Sequence, residues 1–78
     1  MEIARLVAMA NDIAAFFDGE SPGAAAVEGV SLHLRKFWEP RMRREIIEHA
    51  QRGGAGLCAT ARAAVEKLAE VADRPPAS

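Results

Sequence analysis

The chain has 78 residues, is 50% hydrophobic but only 5% aromatic, and carries a net charge of -1, a balance that does not advertise nucleic-acid or membrane binding. No apolar run approaches the roughly 20 residues of a membrane span, and Glu2 and Arg5 interrupt the start where a signal peptide would be continuous, so a cytoplasmic protein is expected. Cys58 is the lone cysteine and His33 and His49 are well separated, which excludes a disulfide and leaves no structural zinc spacing, so a domain this small is expected to lean on a partner or to fold as a compact helical unit alone.

Much of the hydrophobic share is alanine, which favours helix and buries little area per residue. The first segment runs from about Glu2 to Asp18. Ile3, Leu6, Val7, Ala10, Ile13, Ala14 and Phe17 recur at three- and four-residue steps and form one stripe. Met9 and Phe16 lie at its edge, either as part of a broad apolar face or as a second face for a partner. The run Asp18 to Gly23 breaks the pattern, with Ser21 suited to a cap and Pro22 to a first helical turn.

The second segment spans about Pro22 to Phe37, with Ala24, Val27, Val30, Leu34 and either Phe37 or Trp38 on one face. Gly29 lies inside it and costs about 1 kcal/mol of helicity relative to alanine. It either permits close contact with the first helix or sits on the surface. Pro40 disfavours helix at Glu39 and suits a first helical position, so Phe37 to Pro40 is expected to be a bend. Met42, Ile46, Ala50 and, less centrally, Ile47 and His49 then mark the buried side of a third helix ending near Arg52. Gly53, Gly54 and Gly56 stop it. The last helix runs from about Leu57 to Ala72 on a stripe of Leu57, Ala61, Ala64 or Val65, Leu68 and Val71 or Ala72, with Arg62 and Glu66 spaced to pair one turn apart. Pro75 to Ser78 reads as a flexible tail. The expected fold is all-α, a compact array or small bundle of four short helices forming a single domain over residues 1 to 74.

Charge is uneven along the chain. Residues 1 to 30 hold five carboxylates against Arg5, for -4, whereas residues 31 to 52 hold six cationic side chains against three carboxylates, for +3. The basic part contains the only tryptophan, and Arg with Trp is a pairing from which interface anchors are built: large apolar area beside rigid guanidinium forks. Protein docking is therefore weighed against a solvated helix face flanked by core aromatics. Nucleic-acid binding ranks lower, because Glu39, Glu45 and Glu48 weaken any phosphate-tracking surface. The glycines lack the following Lys and Ser or Thr of a phosphate-cradling loop.

For catalysis the best chemical candidate is Cys58, near the start of the fourth helix where a thiolate is stabilised, but no sequence feature supplies a base, and a small semi-buried core residue is the plainer reading. His33 is expected as a surface or interface polar group and His49 as a helix-end residue. No catalytic, cofactor-binding or metal site is assigned to this chain.

The segment Leu34-Arg35-Lys36-Phe37-Trp38-Glu39-Pro40-Arg41-Met42-Arg43-Arg44, followed by Gly53-Gly54-Ala55-Gly56-Leu57, resembles the signature of the delta subunit of soluble, molybdenum-containing NAD-dependent formate dehydrogenases. The opening Leu6-Val7-Ala8-Met9-Ala10-Asn11, with Ile13 and Phe16-Phe17, is similar to that family's first helix, so the likeness covers residues 3 to about 70. Cys58 departs from the pattern, which leads one to expect a small or polar residue there. The resemblance implies a non-catalytic subunit of an enzyme that oxidises formate to carbon dioxide and reduces NAD, or runs the reverse. It implies that molybdopterin guanine dinucleotide, iron-sulfur clusters and FMN reside on partner subunits, and that the chain supports assembly, stability or activity of the large catalytic subunit and its complex. A transient maturation factor for molybdenum cofactor insertion is the alternative, and a basic nucleic-acid-binding module a lower-ranked one. Homo-oligomers of the isolated chain stay open. On this reading Phe37, Trp38, Pro40, Arg41, Met42, Arg43 and Arg44 form the docking surface. Trp38 and Met42 would supply apolar contact, the three arginines pair with acidic groups, and Pro40 sets the bend.

Overall fold

The apolar stripes in the sequence become one shared interior in the computed structural model, which describes residues 2–73 and, of these, the side chains up to Val71. Four helices follow one another: α1 Ile3–Glu20, α2 Ala24–Phe37, α3 Pro40–Gln51 and α4 Ala59–Asp73. Leu6, Ala10 and Ala14 from α1, Val30 and Leu34 from α2, Ile46 from α3, and Ala61, Ala64, Val65 and Leu68 from α4 meet in the core, together with Trp38. Small alanines at these positions let the helices approach closely, so a thin core still closes. The most extensive packing is α2 against α4, followed by α1 against α2; α3 rests on α4 and α1. The radius of gyration is 11.7 Å, against about 11.5 Å expected for a compact chain of this length. The fold is therefore a compact all-α array of four helices, as expected.

The boundaries differ from expectation where backbone geometry overrides residue type. Helix α1 continues two residues beyond Asp18, through Gly19 to Glu20, and closes when the Ser21 N–H donates to the Phe17 carbonyl at 2.9 Å. Ser21 and Pro22 do not open α2. Gly23 takes the N-cap with φ 87°, and its carbonyl accepts from the N–H groups of Ala26 and Val27. That backbone conformation is strained for a residue with a Cβ, so the helix starts after the glycine. Pro40 stands at the start of α3 as expected. At the other end of α3, the Gly53 N–H bonds to the Ala50 carbonyl at 3.2 Å and the Gly54 N–H to the His49 carbonyl at 2.9 Å, a Schellman ending with Gly53 at φ +114° and Gly54 at φ +64°. Helix α4 starts at Ala59 rather than Leu57, because the Leu57 N–H is drawn back to the Gly54 carbonyl in a turn.

The turn is tied to three helices. Asn11 on α1 donates from Nδ2 to the Gly56 carbonyl at 2.8 Å and accepts the Cys58 N–H on Oδ1 at 2.9 Å. His49 Nε2 donates to the Ala55 carbonyl at 2.7 Å, which requires the proton on that nitrogen. Arg62 on α4 reaches the carbonyls of Gly53 and Gly54. It thus leaves the Glu66 pairing expected from its spacing, since the Gly53 carbonyl lies past the end of α3 with no backbone donor among the described residues. The tail expected at residues 75 to 78 lies outside the described residues.

Candidate partner-binding surface

The bend between α2 and α3 separates two adjacent aromatic side chains. Phe37 ends α2 and is 71% exposed, whereas Trp38 is 5% exposed. At Trp38 the backbone turns from helix to extended, with φ -86° and ψ 139°, and this swings the indole into the core while the phenyl stays outside. Met42 is half-buried and packs against the same core. The expectation that Trp38 offers apolar area to a partner is therefore corrected, because the indole spends that area on the interior of this chain, while Met42 does so only in part.

The arginines of the bend divide in the same way. Arg43 is half-buried and donates from Nη1 to the carbonyls of Trp38 and, at 3.2 Å, of Arg35. A cation at these last carbonyls of α2 meets the negative end of the helix and satisfies acceptors that the helix leaves open. Arg41 and Arg44 are exposed, as is Pro40. Among the described residues the ion pairs are Arg52 with Glu48 and Lys67 with Glu28, so Arg35, Arg41 and Arg44 carry no carboxylate partner. Of the seven residues expected to form the surface, Phe37, Pro40, Arg41 and Arg44 face outward, and Trp38, Met42 and Arg43 hold the bend in shape.

Phe37 is joined on the surface by side chains from α1 and from the turn before it on α2. Its ring lies 4.8 Å from the His33 imidazole, His33 is 6.5 Å from Phe17, and Phe17 meets Phe16 edge-on at 5.3 Å. Phe16 is 64% and Leu32 43% exposed. Shallow hollows lie on either side of Phe17, one against Ile13, Phe16 and His33 and one against Gly29, Leu32 and Phe37. Gly29 makes this ridge: a Cβ there would stand 2.6 Å from the Phe17 ring, so close contact with α1 is the reason for the glycine. Sequence spacing marks Phe16 as marginal and leaves Phe37 and Trp38 as alternatives on the core stripe. It had no signal for Leu32, or for the His33 imidazole standing between two rings.

A second feature lies on another side of the bend. Pro40, Ile47, Leu68 and Val71 floor a cleft of about 250 Å³ rimmed by Arg35, Arg43 and Arg44. Residues from α2, α3 and α4 contribute, which is why no single segment of sequence exposed it.

Cys58 is exposed and not semi-buried. Its backbone N–H is held by Asn11, while His33 and His49 are occupied with the aromatic ridge and the glycine turn respectively. Among the described residues no three His, Cys, Asp or Glu side chains are grouped to hold a metal ion, and no helix is long and apolar enough to cross a membrane.

No match is found among curated proteins or solved structures. A family profile, NADH-dependent formate dehydrogenase delta subunit FdsD, matches residues 5–65, from the first turn of α1 into α4 and across the whole bend and glycine turn. With most of its length matched, the chain belongs to the family of formate dehydrogenase delta subunits.

Proposed function

We propose that this chain is a non-catalytic, cytoplasmic subunit that docks on the large catalytic subunit of an NAD-dependent formate dehydrogenase and supports the assembly, stability or activity of that complex. The chemistry, formate and NAD+ to carbon dioxide and NADH, then belongs to partner subunits with their molybdopterin guanine dinucleotide, iron-sulfur clusters and FMN. The observation that carries the docking reading is the ridge of Phe16, Phe17, His33 and Phe37, where two phenyl rings stand 64% and 71% exposed on a small domain that has few aromatics to spare. Leaving such area in water is unfavourable, at roughly 25 cal/mol per Å² of apolar surface, and contiguous apolar patches of this kind mark protein contact sites.

Arg41 and Arg44, exposed on the helix that follows Phe37, supply charge that orients an encounter with an acidic surface. Binding that favours only the assembled large subunit stabilises it by linkage, without any reacting group on this chain. Co-expression with the other subunits followed by size-exclusion chromatography tests the reading. Stoichiometric retention in the active complex is expected. Absence of the chain from an active complex that needed it during maturation would assign it instead to transient cofactor insertion, and no association at any stage would refute docking.

A further inference from the structure

The cleft between the end of α2, the first half of α3 and the last turns of α4 is separate from the aromatic ridge, and its chemistry is mixed. Its floor is apolar, from Pro40, Ile47, Leu68 and Val71, and its rim is cationic, from Arg35 and Arg44 with Arg43 behind them. Val71 is 38% exposed there. Arg43 is already committed to backbone carbonyls, whereas the guanidinium groups of Arg35 and Arg44 have no carboxylate partner among the described residues. An occupant that satisfies both parts must bury apolar area on the floor and bring negative charge to the rim.

We propose that this cleft seats a segment of the partner subunit that presents one large apolar side chain flanked by Asp or Glu. The inference rests on the docking reading above and adds to it the chemistry of one contact. Carboxylates match the planar guanidinium forks of Arg35 and Arg44 in geometry as well as in charge. A second copy of this chain is a poorer occupant. A two-fold contact that sets cleft on cleft would bring basic rim against basic rim, and a second copy offering its acidic residues 1 to 30 is the competing outcome that the crosslinking below separates. Nucleic acid fits less well still, because phosphates gain nothing from an apolar floor and Glu39, Glu45 and Glu48 share the same helix or its cap.

The test uses the full chain and the purified large catalytic subunit. Wild type is compared with Arg35→Glu/Arg44→Glu and with the milder Arg35→Gln/Arg44→Gln, each checked for unchanged helicity and melting temperature. Affinity is expected to fall at least about tenfold for the charge reversal and less for the neutral pair. A photo-crosslinking residue at Val71 is expected to label a stretch of the large subunit with Asp or Glu beside an apolar residue, and a short DNA duplex is expected not to displace the complex. Wild-type binding with affinity within twofold for both folded variants overturns this inference and leaves docking standing. Labelling of a second copy or of a stretch without acidic residues, or displacement by DNA, also overturns it. If wild type does not bind the large subunit, the docking reading itself has failed and the cleft assignment goes with it.

Discussion

The ring of Phe17 lies where a side chain at Gly29 would begin, with Cδ1 2.6 Å from the position of a Cβ. Glycine in the middle of α2 thus costs helix propensity and gains a close crossing with α1, on which the exposed ridge is built. Gly29→Ala is expected to lose more from displacing the ring than the roughly 1 kcal/mol it recovers in propensity, for a net destabilisation of about 1–2 kcal/mol. Urea unfolding measures this; a more stable variant would mean that Phe17 moves aside freely.

Asn11 connects α1 to a turn 45 residues away, using both ends of its amide. Asn11→Ala removes two hydrogen bonds and is expected to cost about 1–3 kcal/mol. Asn11→Asp keeps only the acceptor for the Cys58 N–H and sets an anion against the Gly56 carbonyl, so it should be no better. Amide exchange localises the effect: the Cys58 N–H should exchange faster in both variants while amides in the middle of α2 follow global stability only.

Gly53 and Gly54 end α3 with positive φ. Alanine at either is expected to destabilise by about 1–2 kcal/mol, and Gly53→Ala more, because φ +114° lies outside the left-handed region open to L residues whereas the +64° of Gly54 lies within it. Thermal unfolding of the two variants side by side gives both the sign and the order.

Phe37 and Trp38 are neighbours with opposite duties. Trp38→Ala opens the core and is expected to cost about 3–5 kcal/mol, a large part of the stability of a domain this small. Phe37→Ala is expected to stay within about 0.5 kcal/mol of wild type, as exposed positions do. Since Trp38 is the only tryptophan, its fluorescence should be blue-shifted in the native state and red-shift on unfolding, which gives a direct readout of the bend.

Features that act locally were legible in the sequence. Pro40 marked the start of α3 and Gly53-Gly54 its end, because fixed φ at one and free φ at the other act on the chain regardless of what packs around it. The stripes of Leu6-Ala10-Ala14 and Val30-Leu34 likewise found the core. Legibility stopped where a residue's role depends on distant chain. Periodicity left Phe37 and Trp38 interchangeable, and the extended backbone at Trp38 decides between them. Spacing along its own helix matches Arg62 to Glu66, but its guanidinium is taken up by the Gly53 and Gly54 carbonyls of the glycine turn. Arg43 looked like one more surface cation beside Arg41 and Arg44, although it caps α2. The family signature around the bend thus mixes residues that shape it with residues left free to touch something else.

On the proposed reading, the large catalytic subunit binds the exposed aromatic ridge that the buried bend holds in place. The most direct measurement is a titration of the purified large subunit with wild-type chain and with Phe16→Ser/Phe37→Ser, both verified as folded by circular dichroism. Loss of two aromatic anchors at about 1–2 kcal/mol each predicts affinity weaker by roughly 30-fold to 1,000-fold, with melting temperature nearly unchanged. An affinity within twofold of wild type, in a folded variant, would mean that the ridge is not the contact.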